Sequence, residues 1–118
     1  MRVEKNRTGM AKGWYAGPWD SNLTVSVGGS RIGKDEPHFH RLMTEIYLIA
    51  SGTATMRVEE RTVLLEPGDV LIVEPGEAHT WLSASSDHFH FCIQTPGLVG
   101  DAARSDKVPV DRSRLGLE

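Results

Sequence analysis

His38-Phe39-His40 places two imidazoles two residues apart, and Glu45 follows at the head of the next apolar run. On an extended strand, residues i and i+2 share a face, so His38 and His40 present ring nitrogens to one point. Glu45, after a short polar break, can return a carboxylate to the same place. Downstream, Pro75-Gly76-Glu77-Ala78-His79 brings in a third histidine behind a tight turn. All five histidines fall between residues 38 and 90. Imidazole and carboxylate together suit a divalent first-row metal such as manganese, iron, nickel or zinc. One such ion per chain is the expectation. A single histidine in a strand ordinarily makes a structural hydrogen bond; the spaced set of four residues points to a metal.

A second polar stripe runs through His88, His90, Cys92 and Gln94, with Phe89, Phe91 and Ile93 on the opposite face. If the polar face looks inward, His90, Cys92 and Gln94 line a pocket; the alternative is that His88 sits at the strand start in water and His90 makes a structural hydrogen bond. Tyr47 and Trp81 share faces with Glu45 and His79 and are the other candidates for the pocket wall. Cys92 is not expected to act as a nucleophile, because no neighbour in sequence is arranged to lower its pKa. No acid–base residue outside the metal set and no organic-cofactor site is singled out.

The elements that must position these residues read as short strands. Leu23 to Val27 alternates apolar and polar, as a half-buried strand does, and Gly28-Gly29 is expected to end it. Glu45–Ser51, Asp69–Val73, Ala78–Leu82 and His88–Gln94 read as strands separated by Gly52, Pro67-Gly68, Pro75-Gly76 and a polar loop. Thr53–Val58 and Arg61–Leu65 read as a hairpin about Glu59-Glu60, although that turn lacks the glycine or asparagine a two-residue loop prefers. No window sustains a 3.6-residue apolar period; residues 101–107 allow at most one helical turn, limited by Pro109. The expectation is an all-β sandwich or closed barrel, which also removes exposed sheet edges. Residues 1–21 are read as an N-terminal arm, mildly basic through Arg2, Lys5, Arg7 and Lys12. Residues 22–96 are read as the barrel and 97–118 as a polar C-terminal tail.

The 118 residues fit one domain. The net charge of −3, with no long run of one sign, gives no electrostatic reason for a nucleic-acid or acidic-membrane partner. One cysteine excludes an intramolecular disulfide and suits a reducing compartment. No apolar stretch approaches the ~20 residues needed to span a bilayer, and the first twenty residues contain no signal-peptide apolar region. A cytoplasmic protein is expected.

Gly33 followed by His38-x-His40-x4-Glu45-x6-Gly52 resembles the first motif of the cupin family, and Gly68-x7-Gly76-x2-His79 resembles the second. The departures touch turns: Gly33 lies one residue closer to the first histidine than is usual, Glu74 stands where a proline is usual, and Ser83 where an asparagine is. The resemblance covers roughly residues 22–96. It implies a small double-stranded β-helix, the jelly-roll barrel, with a metal held inside by His38, His40, Glu45 and His79. It also implies a protein acting on a small molecule: a metal-dependent enzyme of dioxygenase, isomerase or lyase type, or a non-catalytic binding or sensing module. A homodimer is expected on separate grounds. Ile46 and Leu48 oppose Tyr47 and Ile49, and Leu71 and Val73 oppose Val70 and Ile72, so several strands are apolar on both faces and need cover outside the barrel. Trp14, Tyr15 and Trp19 are placed at that interface.

Overall fold

In a computed structural model of the chain, residues 1–5 and 11–118 are described; Arg7 of the expected basic arm lies outside them. Among the described residues, ten strands form two antiparallel five-stranded sheets facing each other. One has the order β1 (Lys12–Ala16), β2 (Ser26–Ser30), β9 (Phe89–Thr95), β4 (Thr44–Ser51), β7 (Val70–Val73). The other has the order β10 (Lys107–Pro109), β3 (His38–His40), β8 (His79–Ala84), β5 (Ala54–Val58), β6 (Arg61–Leu65). This is the expected all-β jelly roll.

Alternation decides which side chains meet between the sheets. In β4, Glu45, Tyr47 and Ile49 are buried while Ile46 and Leu48 are only partly so. The apolar core joins Tyr47, Ile49, Ala54, Met56, Leu65, Val73 and Trp81, and Tyr47 and Trp81 carry it up to the metal-type residues.

One local expectation changes and another gains its physical reason. Gly28 and Gly29 do not end β2 but sit inside it, paired to Cys92 and Phe91 of β9. They are glycines because aromatic rings lie over them: a Cβ at Gly28 would come within 2.7 Å of the Trp14 ring, and one at Gly29 within 2.7 Å of Phe89. The β5–β6 hairpin does turn at Glu59-Glu60, with Glu59 itself taking the left-handed conformation at φ 47°. Arg57 Nε donates to its carbonyl at 2.8 Å, and its carboxylate receives the Ala78 N–H at 2.7 Å. These contacts hold a residue where glycine is usual.

Regular structure also extends beyond residues 22–96. β1 pairs with β2, and Gly100–Asp106 forms a two-turn helix, α1, that leads into β10 beside β3. A seven-residue helix followed by a three-residue edge strand ending in proline carries too little periodicity to be read from sequence. Proline is tolerated on that strand because it lies at the sheet edge. Among the described residues, no helix is long and apolar enough to cross a membrane.

Candidate metal centre and cavity

Three histidines come from one sheet and the glutamate from the other. His38 and His79 are directly opposite each other on β3 and β8, and His40 follows on the same face of β3. The turn ahead of His79 needs Gly76 at φ +86°, and the Gly76 N–H donates to the His40 carbonyl at 2.8 Å. The turn that delivers the third histidine is therefore pinned to the strand carrying the first two. Glu45, at the start of β4, faces them across the barrel.

One atom from each of His38, His40, Glu45 and His79 falls within 4.8 Å of all the others, and all four residues are buried. Glu45 Oε1 lies 2.9 Å from His40 Nε2, 3.0 Å from His79 Nε2 and 3.9 Å from His38 Nε2. The opposite ring nitrogens are also engaged. His38 Nδ1 lies 2.8 Å from the Glu36 carbonyl, His79 Nδ1 3.0 Å from the Glu77 carbonyl, and His40 Nδ1 3.0 Å from Asp106 Oδ2. Each of those partners is an acceptor, so each Nδ1 carries its proton and donates. In the neutral ring the Nε2 lone pair then points at Glu45. Three lone pairs and a carboxylate converging on one point are stable only with a cation between them, either protons or a metal. Hydrogen-bonded Nδ1 with free Nε2 is the arrangement that orients histidine ligands. The donor set fits a divalent metal.

The electrostatics agree. Burial alone would raise the Glu45 carboxyl, but the hydrogen bonds with His40 and His79 outweigh it and hold its pKa well below the usual value. Burial lowers His79 as well, yet the Glu45 carboxylate turns the net shift upward. His38, farther from Glu45, is pushed down to about 4 by burial and then by the charge of His79. The second Glu45 oxygen, Oε2, accepts from Gln94 Nε2 at 3.1 Å and Cys92 Sγ at 3.3 Å. Burial, then Glu45, raises the Cys92 thiol far above its ordinary pKa, which leaves it protonated and unreactive.

A cavity of about 330 Å³ opens onto this cluster. Tyr47, Trp81, His90 and Gln94 all line it. His88 does not sit in water: it has no exposed surface, and its Nε2 lies 2.7 Å from His90 Nδ1. Gly52 and the Ser85–Asp87 loop close over it, since a Cβ at Gly52 would come within 2.6 Å of the His88 backbone. His90 stacks on Trp81 with ring centroids 4.4 Å apart, and burial pushes it down to about 4.

Sequence patterns missed Asp106, which is 2% exposed, bonds His40 Nδ1 and accepts the Leu42 N–H at 2.6 Å. They also missed Asp35, whose Oδ1 receives the Thr80 hydroxyl at 2.6 Å and the Trp81 N–H at 2.8 Å. Both stand among similar polar neighbours with no distinguishing spacing.

The profile described as "Cupin domain" matches residues 23–93. No curated protein matches the chain. Among solved structures, a variant of PAC13 from Streptomyces, determined with uridine, aligns at TM-score 0.68 and 14% identity, over 91% of this chain and 82% of that one. KdgF from Halomonas sp. aligns at 0.64 and 16% identity, over 80% and 87%. A cupin protein from Bacteroides fragilis aligns at 0.63 and 21% identity, over 83% and 88%. At these identities the likeness is one of fold. With the jelly roll and both histidine motifs in place, the matched profile, which spans most of the barrel, decides the family: the chain belongs to the cupin domain family.

Proposed function

We propose that this protein binds one divalent transition metal through His38, His40, Glu45 and His79 and acts on a small metabolite in the adjoining cavity as a metal-dependent enzyme. The observation that carries the metal is the set of three Nδ1 hydrogen bonds, which turns three Nε2 lone pairs onto one carboxylate. A metal held there would supply Lewis acidity, or redox chemistry if it were iron or manganese. The chain's own residues shape the rest. Tyr47 and Trp81 form an aromatic wall that excludes water. Gln94 and Cys92 fix the Glu45 carboxylate, and His90 offers a neutral imidazole to a bound molecule. Pac13, described as a nucleoside dehydratase, and its complexes with uridine support a small-molecule role in this fold. Dioxygenase, isomerase and lyase chemistries all suit such a site, because the reaction lives in the residues around the metal.

Reconstitution with manganese, iron, nickel or zinc, followed by elemental analysis, is expected to give close to one metal per chain; failure to retain any of them overturns the assignment. Oxygen uptake and product analysis with catechols, thiols and oxo-acids then test turnover. A cytoplasmic location belongs to the same proposal, supported by the free Cys92 thiol in the site.

We further propose a homodimer. Ile46 pairs with Ile72 and Ile93, and Leu48 with Val70 and Phe91, on the outward face of the first sheet. Val70 and Ile72 remain 57% and 53% exposed. Tyr15 covers part of this face by packing against Phe91 of its own chain, while Trp14 turns to the cavity. Trp14 and Trp19 stay nearly half exposed, so the sheet face and the aromatic segment both remain available to a partner. Light scattering at micromolar concentration is expected to give a dimer, and Ile72→Lys to give a monomer. A monomeric wild type refutes the dimer.

A further inference from the structure

We propose that the cavity selects a small, planar organic anion, held at the mouth by Lys12, Lys34 and Lys107 and contacted inside by His90. The three lysines come from separate places, β1, the loop ahead of β3 and the start of β10, yet all line the same opening. None of them forms an ion pair among the described residues. Among the described residues, the carboxylates that line the cavity are Glu45, set among the three histidines, and Asp35, whose partners, the Thr80 hydroxyl and the Trp81 N–H, are neutral donors. Asp106 lies behind His40.

In a chain of net charge −3, the cavity that opens onto the histidine cluster thus has three ammonium groups against two carboxylates among its described lining residues. An excess of positive charge at a cleft concentrates anions. Lys12 lies close enough to His90 and Cys92 for its charge to act on both. His90 itself is 3% exposed, gives Nδ1 to His88, and leaves Nε2 without a partner among the described residues. Trp14, Tyr47 and Trp81 supply flat walls for a planar body. Lys12, Trp14 and Lys107 lie outside residues 23–93, so ligand choice rests on the chain's terminal strands while the metal donors come from the shared barrel.

This inference uses the same cavity as the metal proposal but does not require the metal, and its test keeps the two apart. Benzoate, benzamide and benzamidine share a ring and differ in charge. Calorimetric titration of metal-free and zinc-loaded protein is expected to rank them benzoate, benzamide, benzamidine, with at least a tenfold preference for benzoate over benzamide in both forms. In the Lys12→Gln/Lys34→Gln/Lys107→Gln variant, the preference of the metal-free form is expected to fall within twofold while metal content stays unchanged. A preference seen without any metal retention would leave this inference standing and remove the metal. Equal binding of benzoate and benzamide, a preference that survives loss of the lysines, or no binding of any probe at millimolar concentration would overturn it.

Discussion

The barrel buries two groups of histidines, and only one of them contains a carboxylate. Around Glu45, three imidazoles have their outer nitrogens tied to acceptors and their inner nitrogens aimed at a common oxygen. A few ångströms away, His88 and His90 bond to each other and to no carboxylate, and burial lowers both. Residue type and burial are the same in both groups, although His88 lies just ahead of β9 while the other four histidines sit on strands. The difference is the convergence on a charge of opposite sign, which makes the first a place for a cation and the second a neutral hydrogen-bonding pair.

The largest effect that would break this comparison concerns metal affinity. His79→Ala is expected to weaken binding by more than about 100-fold, beyond the ~10–100-fold typical of losing an outer partner of a ligand, while His88→Ala stays within about threefold of wild type. Competition with a chelator measures both, and equal losses would mean the two groups are not distinct in kind. Asp106→Ala tests an intermediate case. It leaves all four ligands in place but frees His40 Nδ1, and it is expected to cost ~10–100-fold.

A smaller effect concerns pH and sharpens the second group. His90 is held at about 4 in the folded state against an ordinary 6.5, first by burial. A lowered histidine pKa means the unfolded chain binds the proton more readily. The stability is therefore fully present above pH 6.5 and lost as pH falls through about 4. The loss over that window is on the order of 3 kcal/mol. Urea denaturation of wild type and His90→Gln at pH 7 and pH 4 should show the variant losing less by about that amount. Parallel pH curves would mean His90 is not held neutral by the fold.

The sequence announces the first group because strand periodicity and turn chemistry are local. His38-x-His40 needs only an extended backbone to share a face, and Pro75-Gly76 marks the turn before His79. Tyr47, Trp81, His90 and Gln94 follow from the same alternation. What was not legible depends on contacts distant in the chain. His88 looks like a strand-end residue until the Ser85–Asp87 loop is folded over it. Gly28-Gly29 looks like a terminator until Trp14 and Phe89 are laid across it. Asp106 and Lys107 look like tail residues until β10 pairs with β3, with Lys107 opposite His40.

Asp106 has a consequence for the life of the protein as well as for its site. The same carboxylate steers His40 and receives the Leu42 N–H, and the Asp106 carbonyl receives the Arg41 N–H at 2.9 Å. Whatever tightens His40 therefore also tightens the end of the chain, since binding and local ordering share one free energy. If a metal is held through His40, adding it is expected to slow limited proteolysis within residues 100–109, and a cut there is expected to weaken metal retention by releasing His40 Nδ1.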